Sequence, residues 1–340
     1  MKSAAPVKIG IVGLGRLGKR HAANLRYQVP GGQLAAACSI APEELSWAEE
    51  ELGITELYSD YDEMLNKADL DAVFLVTSSA MHAAQAIKAL DRGLHVFTEK
   101  PMGVNVDECR QVEQAAARNG EKVFFVGFVR RYDPSYAYAK KLIEEEVIGE
   151  PFMVRSQTVD LDEYADFQVE FVPASGGIFL DMNVHDIDLA RWFLGSEVKT
   201  VYARGGSYVH KAFEDVNDAD NTVVLAGFED GKMAVISASR TAFHGHDTHT
   251  EISGSRGILK IGMTPAKNRV EVFDAYGARQ DCVKDFFERF SEGFLNEARE
   301  FVNCIREGRK PGVSANDGTK ATEVGFAMTD SFRQGKEISI

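Results

Sequence analysis

The 340-residue chain has few of the residues that advertise a special class: four cysteines, two tryptophans and nine prolines. Cys38, Cys109, Cys282 and Cys304 form no C-x-x-C pair, and H-E-x-x-H is absent too. The common zinc and dithiol motifs are therefore missing, and no metal is expected. Three of the four cysteines sit in apolar or helical surroundings, as reduced cytoplasmic thiols do, and a structural role for them outranks a catalytic one. No run of 18 apolar residues exists to cross a bilayer. The opening MKSAAPVKIG has no long apolar stretch of the kind a secretion signal needs. Basic side chains are also scarce, 38 against 52 acidic ones, giving a net charge of −14 with no Lys/Arg block. Nucleic acid and anionic membrane are poor partners for such a surface. No period of 20 to 50 residues repeats, so solenoids and propellers are set aside.

What is present reads as two domains, the usual outcome once a chain outgrows a single core. VKIGIV, LAAACS, AVFLV, HVFT and KVFFVG are short apolar runs alternating with helix-like segments over residues 1–127. Apolar strands alternating with helices imply a doubly wound parallel sheet covered on both faces. The first strand ends in GLGRLG, with Gly13, Gly15 and Gly18 in G-x-G-x-x-G spacing and Arg16 and Leu17 between them. After a strand and before a helix, this pattern predicts a Rossmann dinucleotide site. The first glycine makes the turn, the second admits the pyrophosphate and the third lets helix pack on strand. Arg16 is placed to stack on adenine, reach a phosphate or face solvent. The acid expected at the end of the second strand is missing, and Ser39 stands there. Serine can hydrogen-bond a ribose and does not repel a 2′-phosphate, yet Ile40 and Ala41 supply no arginine for one. NAD is the expected cofactor, with NADP left open.

Two further stretches carry chemistry. HVFTEKPMG ends its strand with Glu99, Lys100 and Pro101, and ligands collect beyond the carboxyl ends of parallel strands. The plain alternative is a surface lysine beside a turn proline. LDMNVHDID, residues 180–188, lies in a stretch of helical periodicity that stops at Gly195. On one helix Asp181 and His185 share a face, and a carboxylate that orients an imidazole is one way to build a general base. A metal group with Asp188, His244 and His246, or mere helix polarity, are the rivals. From residue 128 on, FMVRSQTV, KTVYARGGSYV, NTVVLAGF, KMAVISASR, HTEISG, ILKIG and RVEVF follow in succession, the helix at 176–194 lying before most of them and no helix between those that come after it. They predict an α+β domain over 128–340 with a large, mainly antiparallel, open-faced sheet. The helix at 317–334 could pack back on the first domain.

GLGRLG, TSSAMH at 77–82, EKP at 99–101 and GGIFLDMNVHDIDLARW at 176–192, in this order, resemble the glucose-fructose oxidoreductase and inositol dehydrogenase family, Gfo/Idh/MocA. GFVRRYDPSYAYAKKL and HGHDTHTEISGSRG make the chain most similar to its bacterial inositol 2-dehydrogenases. The resemblance runs from Val7 to Phe332. It implies a catalytic group of Lys100, Asp181 and His185, with a Lys–Pro bond that is often cis in the family and would aim the ammonium into the cleft. It places Thr77, Ser78, His82 and Glu99 on the nicotinamide side, and Arg130 and His246 near the substrate, the last where some members have tyrosine. Ser39 and Ser79 depart from the family's usual acid and proline.

The implied activity is oxidation of a secondary hydroxyl of a cyclic polyol, myo- or scyllo-inositol, by NAD. An aldose or other sugar is the alternative substrate. Two other readings are a cofactor-binding regulatory protein without turnover and an enzyme that opens a glycosidic bond by transient oxidation. A homodimer or homotetramer formed through the C-terminal sheet is the implied assembly.

Overall fold

The computed structural model describes residues 5–340. The chain folds as two units, one holding residues up to 129 together with 292–322, the other 130–291 with 323–340.

In the first unit six strands, β1 (Val7–Val12), β2 (Gly32–Cys38), β3 (Glu56–Tyr58), β4 (Ala72–Leu75), β5 (His95–Glu99) and β6 (Phe124–Gly127), form a parallel sheet of order β3-β2-β1-β4-β5-β6. This is the dinucleotide-binding order, with the switch between β1 and β4. Between the strands lie α1 (Arg16–Tyr27), α2 (Pro42–Leu52), α3 (Tyr61–Lys67), α4 (Ser79–Asp91) and α5 (Val106–Arg118). β4 and β6 are buried at every position, as a sheet covered on both faces requires. Cross-strand pairing sets Phe74 opposite Phe97 and Phe97 opposite Phe125. Their rings stack, Phe74 on Phe97 at 3.7 Å between centroids. Phe301, from α12 (Ser291–Glu307), meets all three edge-on at about 6 Å, the preferred geometry between aromatic quadrupoles. This packing holds most of α12 to the first unit.

The second unit has a seven-stranded sheet of order β12-β11-β7-β10-β9-β8-β15, made by β7 (Pro151–Leu161), β8 (Val198–Gly206), β9 (Asn221–Phe228), β10 (Met233–Ala242), β11 (Asp247–Gly254), β12 (Gly257–Ile261) and β15 (Ile338–Ser339). It is mainly antiparallel, as expected, but helices within 165–215 separate β7, β8 and β9, so the run of strands is not free of helices, and β7 and β10 pair in parallel at its centre. β13 (Ala266–Asp274) and β14 (Gly277–Cys282) make a separate hairpin. The helices are α6 (Pro134–Glu144), α7 (Ala165–Ser175), α8 (Ile178–Asp181), α9 (Val184–Leu194), α10 (Ala212–Asp215), α11 (Phe286–Arg289) and α13 (Ala315–Gln334), the last divided between the units at residue 322. α9 lies on β7 and β10. Burial alternates along β9 and β10, so one face is core and the other is open. No helix among the described residues is long and apolar enough to cross a membrane.

The single helix expected over 176–194 is two. The amides of Met182 and Asn183 both reach back to the Ile178 carbonyl, at 3.0 and 3.3 Å, and the second of these spans five residues, which widens the last turn and ends α8. The Asn183 side chain donates to Asp186 Oδ2 at 2.9 Å and to the Ser237 carbonyl at 3.2 Å.

Candidate active site

In the first unit the glycine turn meets the steric demands of its motif. Gly13 has φ +88°, and a Cβ there would lie 2.5 Å from the Val76 carbonyl oxygen. A Cβ on Gly18 would lie 2.1 Å from the Gly13 oxygen. Gly15 is different: its added Cβ would meet nothing within 4 Å, so the protein itself does not require glycine there. A ligand's close approach does, which is the role of the second glycine in the pyrophosphate turn. Gly15 is also the N-cap of α1, with no side-chain cap and no acidic residue in the first turn. The amide groups and the positive end of the helix dipole are left for an anion. Arg16 is exposed and Leu17 half-buried at this helix start. The residues thus fit the pyrophosphate of a dinucleotide.

The turns after β4 and β5 are tied to each other. Thr77 Oγ1 donates to Gln85 Oε1 at 2.7 Å, and Ser78 is the N-cap of α4. His82 is buried, with Nδ1 2.8 Å from the Pro101 carbonyl oxygen and Nε2 3.0 Å from that of Thr77. Burial holds its pKa down, against both carbonyls, so the ring is neutral and donates to only one of them. Its part in the site is to fasten two loops. The Lys100–Pro101 bond is cis, as the family resemblance implied. Lys100 is half-buried where β5 ends.

Glu99 turns inward. Its Oε2 accepts the Lys100 amide at 3.1 Å and its Oε1 lies 2.8 Å from His21 Nε2. His21 is fully buried among Phe74, Phe97 and Phe294. Glu297 Oε1 comes no closer to that nitrogen than 3.8 Å. Burial first, and then the charge of Glu99, push the Glu297 carboxyl well above the usual carboxylate range, so it sits as a neutral acid and not as an ion-pair partner. His21 was missed as a support for the EKP turn, and Glu297 as its buried neighbour. Sequence offered only a histidine on a helix and a glutamate far along the chain.

In the second unit, Asp181 and His185 are the only residues from Leu180 to Arg191 that are not buried. Asp181 closes α8 and His185 lies in the first turn of α9, so their spacing is no longer that of an unbroken helix. Beneath them the buried acids are neutralised. Asp186 receives Arg130 Nη1 at 2.8 Å, Ser156 Oγ at 2.6 Å, Thr158 Oγ1 at 2.7 Å and Asn183 Nδ2 at 2.9 Å. Arg131 grips Asp188 with two bonds of 2.8 and 2.6 Å, the fork geometry that makes arginine a strong carboxylate partner. Arg130, expected near the substrate, has Nη1 and Nη2 engaged by Asp186 and Thr158 and is only 2% exposed. It anchors α9 to β7.

His246 and Asp160 form a second acid–imidazole couple. His246 Nδ1 is 2.7 Å from Asp160 Oδ1, and its ring is flanked by Phe286 and Phe290. Because a carboxylate only accepts, Nδ1 carries a proton, and the tautomer so fixed leaves Nε2 as the acceptor. That nitrogen is buried and has no partner among the described residues. Asp160 follows Ser156 and Thr158 at alternate positions on β7, so all three face one side of the sheet. Its signal in the sequence was this period of two, visible only once the strand was paired. Of the metal group drawn from the sequence, Asp188 is committed to Arg131 and His246 to Asp160.

Residues 7–128 match the oxidoreductase family with an NAD-binding Rossmann fold, and residues 136–260 match the GFO/IDH/MocA C-terminal domain. The scyllo-inositol 2-dehydrogenase (NAD(+)) of Bacillus subtilis is 35% identical over 98% of this chain and 96% of its own. The myo-inositol 2-dehydrogenase of Thermotoga maritima is 32% identical, covering 98% of each. The scyllo-inositol dehydrogenase of Lactobacillus casei, solved with bound NAD(H) and scyllo-inositol, superposes with a TM-score of 0.95 at 39% identity, covering 98% of this chain and 99% of that one. The chain belongs to the Gfo/Idh/MocA oxidoreductase family.

Proposed function

We propose that the protein oxidises a secondary ring hydroxyl of an inositol, scyllo or myo, to the ketone. The observation that carries this is the pair Asp181 and His185, left partly exposed on an otherwise buried stretch in a chain whose relatives are named for that reaction. NAD, when bound, supplies the acceptor for the hydrogen that leaves carbon. The glycine turn holds its pyrophosphate. His185 takes the hydroxyl proton. Its Nδ1 is buried, which leaves Nε2 as the atom to receive it. Asp181 supports the imidazolium that results, and Lys100 steadies the negative charge that grows on the substrate oxygen. His246 Nε2 accepts a hydrogen bond from a second ring hydroxyl.

Turnover is followed by NADH fluorescence with scyllo-inositol, myo-inositol, glucose and xylose. We expect the inositols to be oxidised with kcat/KM well above that of the aldoses. His185→Ala should lose about 10²- to 10⁴-fold in kcat, the usual worth of general acid–base help, with NADH affinity held. Tight NADH binding with no turnover of any polyol would make the protein a cofactor-binding regulator instead.

We also place the protein in the cytoplasm as a homodimer or homotetramer joined through the open face of the second unit's sheet. Val223 and Leu225 are each 53% exposed on that face.

A further inference from the structure

We propose that Glu44 is the cofactor-selecting residue of this chain, replacing the missing acid at the end of β2 with a carboxylate from the first turn of α2. The inference rests on the NAD-binding fold and is independent of which polyol is oxidised. The end of β2 is pinned beside the glycine turn: the Gly13 amide donates to the Cys38 carbonyl at 2.8 Å, and the Ser39 amide to the Tyr58 carbonyl at 3.1 Å. Ser39 is 6% exposed. Its hydroxyl, which the sequence offered to the ribose, is already committed, since Oγ donates its one proton to Glu44 Oε2 at 2.5 Å and accepts the Ala41 amide at 3.2 Å. Oε1 of Glu44 has no protein partner among the described residues, and the side chain is half-buried. Ser39 thus acts as a positioning residue that presents the Glu44 carboxylate beyond the sheet, where the adenine ribose of a dinucleotide lies in this strand order. A carboxylate there accepts hydrogen bonds from the 2′- and 3′-hydroxyls. It also repels a 2′-phosphate, because two like charges a few ångströms apart at low dielectric are costly.

The plain rival is that Glu44, like Glu43, serves only the positive end of α2. Titration of the full chain with NADH and with NADPH, read by nucleotide fluorescence, separates the two, together with the melting temperature of the nucleotide-free protein. We expect wild type to prefer NADH by about 100-fold or more, and Glu44→Gln to narrow that ratio by about tenfold or more, chiefly through tighter NADPH binding. Ser39→Ala should narrow it less, since it loosens the carboxylate without removing it. NAD lacking the 2′-hydroxyl should bind wild type more weakly than NAD does, and bind Glu44→Gln nearly as well as NAD does. An unchanged NADH/NADPH ratio in Glu44→Gln overturns the proposal, and a lowered melting temperature beside it assigns Glu44 to the helix alone. Equal affinity of wild type for the two nucleotides overturns it as well. These readouts need no polyol, so an error in the proposed substrate leaves them intact.

Discussion

Single side chains in this molecule are aimed by their neighbours' charges. His246 is a case in point: fixed by Asp160 at one nitrogen and caged by two phenylalanines, it can present only Nε2. Removing the carboxylate frees the tautomer, so either nitrogen can then carry the proton and only one form accepts from a hydroxyl. For Asp160→Ala we expect KM for inositol to rise about tenfold, as for loss of one hydrogen bond to a polar ligand, with NADH affinity unchanged. Steady-state kinetics with NAD saturating and inositol varied test this. An unaltered KM would detach the Asp160–His246 couple from substrate recognition. At this scale the sequence was most informative where geometry is local. The glycines and the EKP turn were legible because each needs only its own few neighbours, whereas the break in the helix drawn through Asp181 and His185 was not, because the turn at Met182 and Asn183 leaves no mark in the apolar periodicity. Glu44, Asp160 and the inward turn of Glu99 were not, because each depends on a partner brought by strand pairing or by the next helix.

At the scale of elements, α12 is the instructive one. Its amphipathic sequence specifies a helix but not which core that helix enters. Phe301 against Phe74, Phe97 and Phe125 supplies the answer, and the same helix carries Glu297 into the aromatic box around His21. Neither oxygen of Glu297 has a hydrogen-bond partner among the described residues. In the unfolded chain this group ionises near pH 4.3, whereas burial and the Glu99 charge keep it protonated in the fold. Between those two pKa values the folded state holds one more proton than the unfolded state. That group's contribution is therefore best at low pH and becomes a growing penalty as pH rises, at about 1.4 kcal/mol per pH unit, until the folded pKa is reached. Glu297→Gln keeps the shape and cannot ionise. We expect its stability relative to wild type to improve as pH rises above 5 in urea unfolding. Parallel curves for the two proteins would mean that Glu297 is ionised in the fold.

For the whole molecule the remaining question is what the second unit's sheet does with its open side. The alternation that sends Thr222, Val224 and Ala226 into the core sends Val223 and Leu225 outward. Register places Leu225 beside Tyr202 of β8 and Val235 of β10, and Val223 beside Arg204 and Ser237. The result is a band of apolar side chains across three neighbouring strands, with a polar row beside it. A contiguous apolar band on a sheet face is a common mark of an interface. The assembly proposed above sets a second copy of this chain against the band about a twofold axis, an arrangement in which the same patch serves both subunits. Placing a charge at the centre of the band removes apolar contact and leaves two like charges buried near the axis, so Leu225→Glu should break the assembly while sparing the monomer's core, to which that side chain contributes little. Light scattering after size exclusion should show wild type at two or four times 37.4 kDa and the variant at a lower multiple, with the NADH affinity of the first unit retained. A wild-type protein that elutes as a monomer at micromolar concentration, or a variant of unchanged mass, would show that the band is covered by something other than its own copy.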